Sequence, residues 1–171
     1  MSTVLFQMGT DPFNSQYQDA EGRLAFTLSL ASQHPNLVIR LTRETPWSTQ
    51  HPTIMGPEKS YFYFGPQMTP GYVMYGNNHI TIPMSHLCRI QREGSNSRYF
   101  TAQSGKHYKW RISPHRMECI DGRTCLAAWE LLPFPESEFQ ARVTLSPAAL
   151  GFITEIMTTL VLNRMYLWSN W

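Results

Sequence analysis

A mainly β protein, an antiparallel barrel of about twelve strands closed around one hydrophobic C-terminal α-helix, is the fold this sequence predicts. Three observations predict it. Apolar and polar residues alternate with period two in segment after segment, as they do in strands with one buried face. Turn formers punctuate those segments, with 12 prolines and 10 glycines in the 171 residues, so the chain reverses often. Helical character appears once, near the C-terminus, and that helix is apolar on almost every side, which calls for an enclosure.

The strands follow in order. TVLFQ, near the start, is a short apolar run. In LAFTLSL, Leu24, Phe26, Leu28 and Leu30 fall on one face, with Ala25, Thr27 and Ser29 on the other. NLVIRLTR sets Leu37, Ile39 and Leu41 against Val38, Arg40 and Thr42. YFYF, YVMY and HITI add aromatic or β-branched candidates, as do the stretches around Leu87, Phe100, Trp110, Met117 and Leu126. EFQARVTL closes the series, placing Phe139, Ala141, Val143 and Leu145 opposite Glu138, Gln140, Arg142 and Thr144. Such a count fits a barrel or a sandwich.

Two hairpins can be read to the register. In RYFTAQSGKHYKWRI, a loop of Gln103, Ser104 and Gly105 puts glycine where a bulged hairpin needs a left-handed residue. Phe100 then faces Tyr108, and Phe100, Ala102, Tyr108, Trp110 and Ile112 share a face opposite Tyr99, Thr101, His107, Lys109 and Arg111. A loop one residue shorter would set Arg98 against Arg111, like charge on like. The second hairpin, MECIDGRTCL, turns at Asp121 and Gly122, and neither loop length there sets Cys119 directly across from Cys125.

The final helix begins at Ser146 and Pro147, a capping hydroxyl before a proline whose missing N–H costs nothing. Run to Trp168, it spans about 33 Å, with Glu155 and Arg164 its only charges. An all-round apolar helix lies in a core or in a bilayer. Glu155 at mid-segment and Thr154, Thr158, Thr159 and Asn163 around it oppose a tail anchor. The helix is therefore expected to thread a closed sheet, with Glu155 inside or at the rim on a polar partner. One domain over residues 1–171 results, strands within 3–145 and the central helix at 147–168. It should not survive loss of the helix.

The opening MSTVLFQMGTD lacks a basic region and a long apolar run, so no secretory signal is expected. Cys88, Cys119 and Cys125 are odd in number and lack CxxC spacing. Free thiols and a cytoplasmic location follow as expectations, without a zinc site.

One stretch carries a family likeness. FTAQSGKHYKWRI followed by LAAWE and an apolar terminal helix, with DPFN, Tyr17-x-Asp19 and Gly22-x-Leu24 near the start, resembles a domain family of mushroom-forming (basidiomycete) fungi whose function is not established. The most specific part is Phe100, Thr101, Ala102, Gly105, Tyr108, Lys109, Trp110 and Arg111; Ser104 stands where that family usually has Asp before the glycine. The layout is also similar to the tubby, LURP-one-related and phospholipid-scramblase group. That likeness implies a twelve-stranded barrel around a C-terminal helix, and the group includes phosphoinositide binders. Fold alone does not carry function.

Charge supplies the functional clue. Residues 1–88 are net −1, 89–123 net +5 and 124–171 net −2. Arg98, His107, Lys109, Arg111 and Arg116 are the expected ligand-binding residues, a basic sheet face for anionic lipid headgroups. Nucleic acid is disfavoured, because Tyr99 alone is no stacking platform and the whole chain is only +2. The alternative is a carrier or chromoprotein holding an apolar small molecule or pigment at a loop rim, with ETPWSTQHPTIMGPEKS as its lid. The remaining readings are a tail-anchored membrane protein and a cryptic enzyme. The enzyme's only candidates are Cys88 with His86 on alternate positions of one strand and the pair Glu136 and Glu138. The six histidines show no ligand spacing with acids. No catalytic residue, metal or cofactor is assigned, and no oligomeric state is implied.

Overall fold

The computed structural model describes residues 1–133 and 135–171. Its strands are β1 (Thr3–Met8), β2 (Ser15–Gln18), β3 (Leu24–Ser32), β4 (Val38–Arg43), β5 (Lys59–Tyr63) and β6 (Tyr72–Tyr75). After them come β7 (Thr81–Pro83), β8 (Ser97–Thr101), β9 (His107–Ile112), β10 (Arg116–Asp121), β11 (Thr124–Leu131) and β12 (Ala141–Leu145). All pair antiparallel in one sheet of order β7-β6-β5-β4-β3-β2-β1-β12-β11-β10-β9-β8. Nearly every neighbour in that order is a neighbour in sequence, and the exception, β1 with β12, joins the two chain halves.

Alternation does what the sequence says it should. Ile39 and Leu41 on β4, Phe62 on β5, Phe100 on β8, Trp110 on β9 and Ala141, Val143 and Leu145 on β12 are all buried. Two details differ. A bulge at Ala25 shifts the register of β3, so that Ala25, expected outward, is buried and Leu24 faces outward beside Gln18, while Leu30 near the other end is 48% exposed. Phe139 precedes β12 and stacks on the outward Phe6, ring centroids 4.9 Å apart.

Helical backbone of two kinds covers the expected residues 147–168, and only part of it is α-helix. A 3-10 segment, Pro147–Phe152, comes first, and helix α3 covers Ile153–Ser169. Phe152 (φ −141°, ψ 38°) interrupts the helical backbone between them. The expected Ser146 cap is not made: its hydroxyl is buried without a partner, while its backbone N–H donates to the Leu126 carbonyl at 2.8 Å. Extending β12 by one sheet-like bond at Ser146 replaces the cap. At the far end Asn170 adopts the left-handed conformation, φ 55°, as asparagine tolerates at a helix end.

Every residue from Ile153 to Asn163 is buried, which requires neighbours on all sides of α3 and fits the enclosing sheet. Threonines in so apolar a surround are satisfied one by one. Thr158 donates to the Thr154 carbonyl (2.6 Å) and shares a bond with Ser60 of β5 (2.8 Å). Thr159 accepts the Trp110 indole N–H of β9 at 2.8 Å and donates to the Glu155 carbonyl at 3.0 Å. Arg43 of β4 donates to Thr154, and Arg164 lies over the Trp129 ring of β11. Strands β4, β5, β9 and β11 thus all reach the same helix.

The sheet's order ends at β7 and β8, and no ladder joins these two among the described residues. Pro83 lacks an N–H to extend β7, and Met84–Leu87, expected as a strand around Leu87, coil into the short helix α2. Helix α2 contacts β7, β8 and α3, occupying the gap, with Met84 and Leu87 buried. The twelfth strand is instead β2, whose SQYQ sequence shows little apolar alternation.

Candidate functional sites

The basic sheet face is built by the β8–β9 hairpin and β10. Gly105 is left-handed (φ 90°) and Phe100 pairs with Tyr108, as the bulged-loop reading requires. Tyr108 and Trp110 turn inward, and His107, Lys109 and Arg111 turn outward. His107 is tied through Nδ1 to the Thr101 hydroxyl at 2.9 Å. Lys109 and Arg111 make no ion pair among the described residues. Beside Lys109, a hollow of about 340 Å³ is lined by Gln91, Tyr99, His107 and Ile120.

Two of the five expected residues do not join that face as free cations. Arg98 pairs across the ladder with Trp110 and so shares its inward face. Its guanidinium donates to the Ser95 and Ser97 carbonyls at 3.1 and 3.3 Å. The same alternation that sends Phe100 inward sends Arg98 inward. Arg116 is on the outer face but lies between Glu130 (2.9 Å) and Glu118 (3.5 Å). Lys106 is likewise paired with Asp121 at 2.6 Å. The +5 of residues 89–123 therefore meets carboxylates from its own and the next strand.

A second site lies where α3 ends. Thr10, Pro12, Pro114, Met117, Trp129, Leu131, Gln140, Arg164, Leu167 and Trp168 enclose a hollow of about 320 Å³. Its walls are mostly apolar side chains, two of which, Leu167 at 49% and Trp168 at 66%, remain open to solvent. The Arg164 guanidinium stands 5.1 Å from the Trp129 ring centroid. Its Nη1 is closed off from solvent and has no acceptor among the described residues. The Trp129 indole N–H donates to Gln7 at 2.9 Å, fixing the ring. Sequence reasoning missed this site, although Arg164, a lone cation in an apolar helix, was its visible signal.

The proposed lid is a packed element. Residues 45–48 form helix α1 (Thr45–Ser48), and Trp47 is fully buried against Phe26 and His51. Arg43 donates to the carbonyls of Met55, Gly56 and Pro57, at 3.3, 3.5 and 3.0 Å. This segment meets α3 at Thr154, the opposite end from the Arg164 hollow.

The nucleophile pairing fails on geometry. His86 lies in α2 and is exposed, Cys88 is buried, and burial pushes the Cys88 thiol far above its ordinary range. Glu136 is exposed and Glu138 sits in the bends before β12. No cluster of three or more His, Cys, Asp or Glu suits a metal among the described residues. No helix of the described residues is long and apolar enough to cross a membrane.

A twelve-stranded antiparallel sheet around a buried C-terminal helix, with an arginine-bearing apolar hollow at its rim, defines the class. No family model, curated protein or solved structure matches this chain.

Proposed function

We propose that this chain is a non-catalytic binding module that takes an apolar small molecule at its rim, in the hollow beside Arg164. The hollow itself carries the reading. Its volume of about 320 Å³ suits a small molecule, as do those of larger hollows on this chain, and its apolar wall with one arginine unpaired among the described residues sets it apart. Met117, Trp129 and Leu131 supply an apolar floor, and Trp168 stands at the mouth with solvent on its open side. A carrier is one form of this function, and a chromoprotein is the form in which the ligand absorbs light.

The closed, tubby-like barrel belongs to the same proposal: α2 acts as the stave between β7 and β8, sealing the wall by side-chain packing where no ladder forms. Membership of the basidiomycete family is supported by the placement of its most specific residues. Phe100, Tyr108 and Trp110 are core, and Gly105 makes the turn that sets their register. A cytoplasmic location is supported by three free thiols.

Native mass spectrometry and an absorption spectrum of the protein as purified test the main reading. A retained small molecule is expected, and stripped protein should bind octanol or naphthalenemethanol saturably, shifting tryptophan fluorescence. Leu131→Arg should abolish that shift without unfolding the chain. Absence of saturable binding by wild type contradicts the reading.

A second reading has its own observation, the outward Lys109 and Arg111, which make no ion pair among the described residues, though Glu118 lies opposite Arg111 in the ladder. An anionic lipid headgroup is its ligand. Sedimentation with phosphoinositide-containing vesicles at low salt, lost in the Lys109→Ala, Arg111→Ala double variant, tests it.

A further inference from the structure

The geometry points to Arg164 as an anion clasp, so that the rim hollow selects a small amphipathic carboxylate over a neutral apolar molecule; this rests on the hollow being the binding site. Arg164 is half-buried near the end of α3 and makes no ion pair among the described residues. Nη1 is cut off from water and has no acceptor among the described residues. A cation without a counter-charge beside an apolar hollow favours an anion there.

No described residue supplies that counter-charge. Glu130, between Trp129 and Leu131 in sequence, is held by Arg116 at 2.9 Å and by Arg142 at 3.6 Å. Glu155, the other acid of α3, receives the Gln103 N–H. The Trp129 ring attracts the guanidinium through its face, at 5.1 Å, but a ring face leaves the Nη1 N–H bonds unfilled. A carboxylate entering the hollow would meet the part of the Arg164 side chain that lines it and supply the counter-charge, in the planar geometry a guanidinium offers. Its apolar body would lie against Met117, Leu131 and Leu167, with Trp168 over it. The restricted volume selects a short aliphatic or one- to two-ring aromatic acid.

The test compares octanoate with octanol and 1-naphthoate with naphthalenemethanol, by calorimetry and tryptophan fluorescence, on wild type, Arg164→Gln and Arg164→Lys. Wild type should prefer each acid by about ten- to a hundredfold, the worth of a charge-assisted hydrogen bond. Arg164→Gln should lose the preference, binding acid and alcohol of each pair alike, and Arg164→Lys should keep part of it. Thermal melts and alcohol binding show that each variant is folded. Equal binding of acids and alcohols by wild type, or an unchanged preference in Arg164→Gln, overturns the clasp and leaves the pocket standing. Binding of neither acid nor alcohol overturns both. The aliphatic and aromatic arms decide which acid shape the hollow takes.

Discussion

The Gln103 backbone N–H, in the β8–β9 loop, donates to the Glu155 carboxylate of α3 at 2.6 Å. This bond fastens the hairpin carrying the basic face to the central helix. Glu155 is only 5% exposed, and burial holds its carboxyl above the usual range, against the opposing pull of the Gln103 N–H. The folded state thus keeps the Glu155 proton to higher pH than the unfolded chain does. The stabilisation is complete below the ordinary glutamate range and is lost as pH rises through the raised folded value. Glu155→Gln keeps an acceptor for Gln103 and removes that loss. It should melt higher than wild type at neutral pH, and it should lack the decline wild type shows above the glutamate range. Glu155→Ala leaves the Gln103 N–H unpaired and should be about 1 to 3 kcal/mol less stable than the glutamine variant.

Trp110 and its strand neighbours separate core from face. Trp110 is fully buried, with its indole N–H on Thr159, so Trp110→Ala should cost about 3 to 5 kcal/mol in chemical denaturation. Lys109→Ala and Arg111→Ala on the outer side should each stay within about 0.5 kcal/mol of wild type.

That contrast was legible in the sequence, because Gly105 dictates the hairpin loop and the loop dictates every side-chain direction along β8 and β9. Arg98 was legible on the same grounds, since it has the parity of Phe100, but its basic charge drew it into the patch. β2 was hidden because its inward residues are Ser15 and Tyr17, a pair that does not read as an apolar face. The run at Leu87 looked like a strand because apolar content alone does not distinguish four residues of helix from four of strand. The rim hollow needed tertiary structure: Met117, Trp129 and Arg164 come together only when β10, β11 and α3 are assembled.

The thiols give a graded expectation. Cys88 and Cys119 are buried and burial pushes both thiols up, whereas Cys125 is exposed. A thiol reagent should modify Cys125 alone in native protein and all three cysteines after denaturation without reductant.

Arg43 ties the segment around α1 to the start of α3 through three carbonyls and Thr154. Arg43→Ala should cost about 1.5 to 3 kcal/mol, as for hydrogen bonds to a charged group. Limited proteolysis should then cut first between residues 49 and 58, where the lost bonds held the chain.

The tryptophan indole N–H resonances test the central claim, binding in the rim hollow, most directly. Trp129 and Trp168 line the hollow, while Trp47 and Trp110 lie in the core away from it. On titration of nitrogen-15-labelled protein with naphthalenemethanol, the Trp129 and Trp168 signals should move saturably and those of Trp47 and Trp110 should stay in place. Movement confined to the backbone amides of His107, Lys109 and Arg111, or no saturable movement at all, would contradict it.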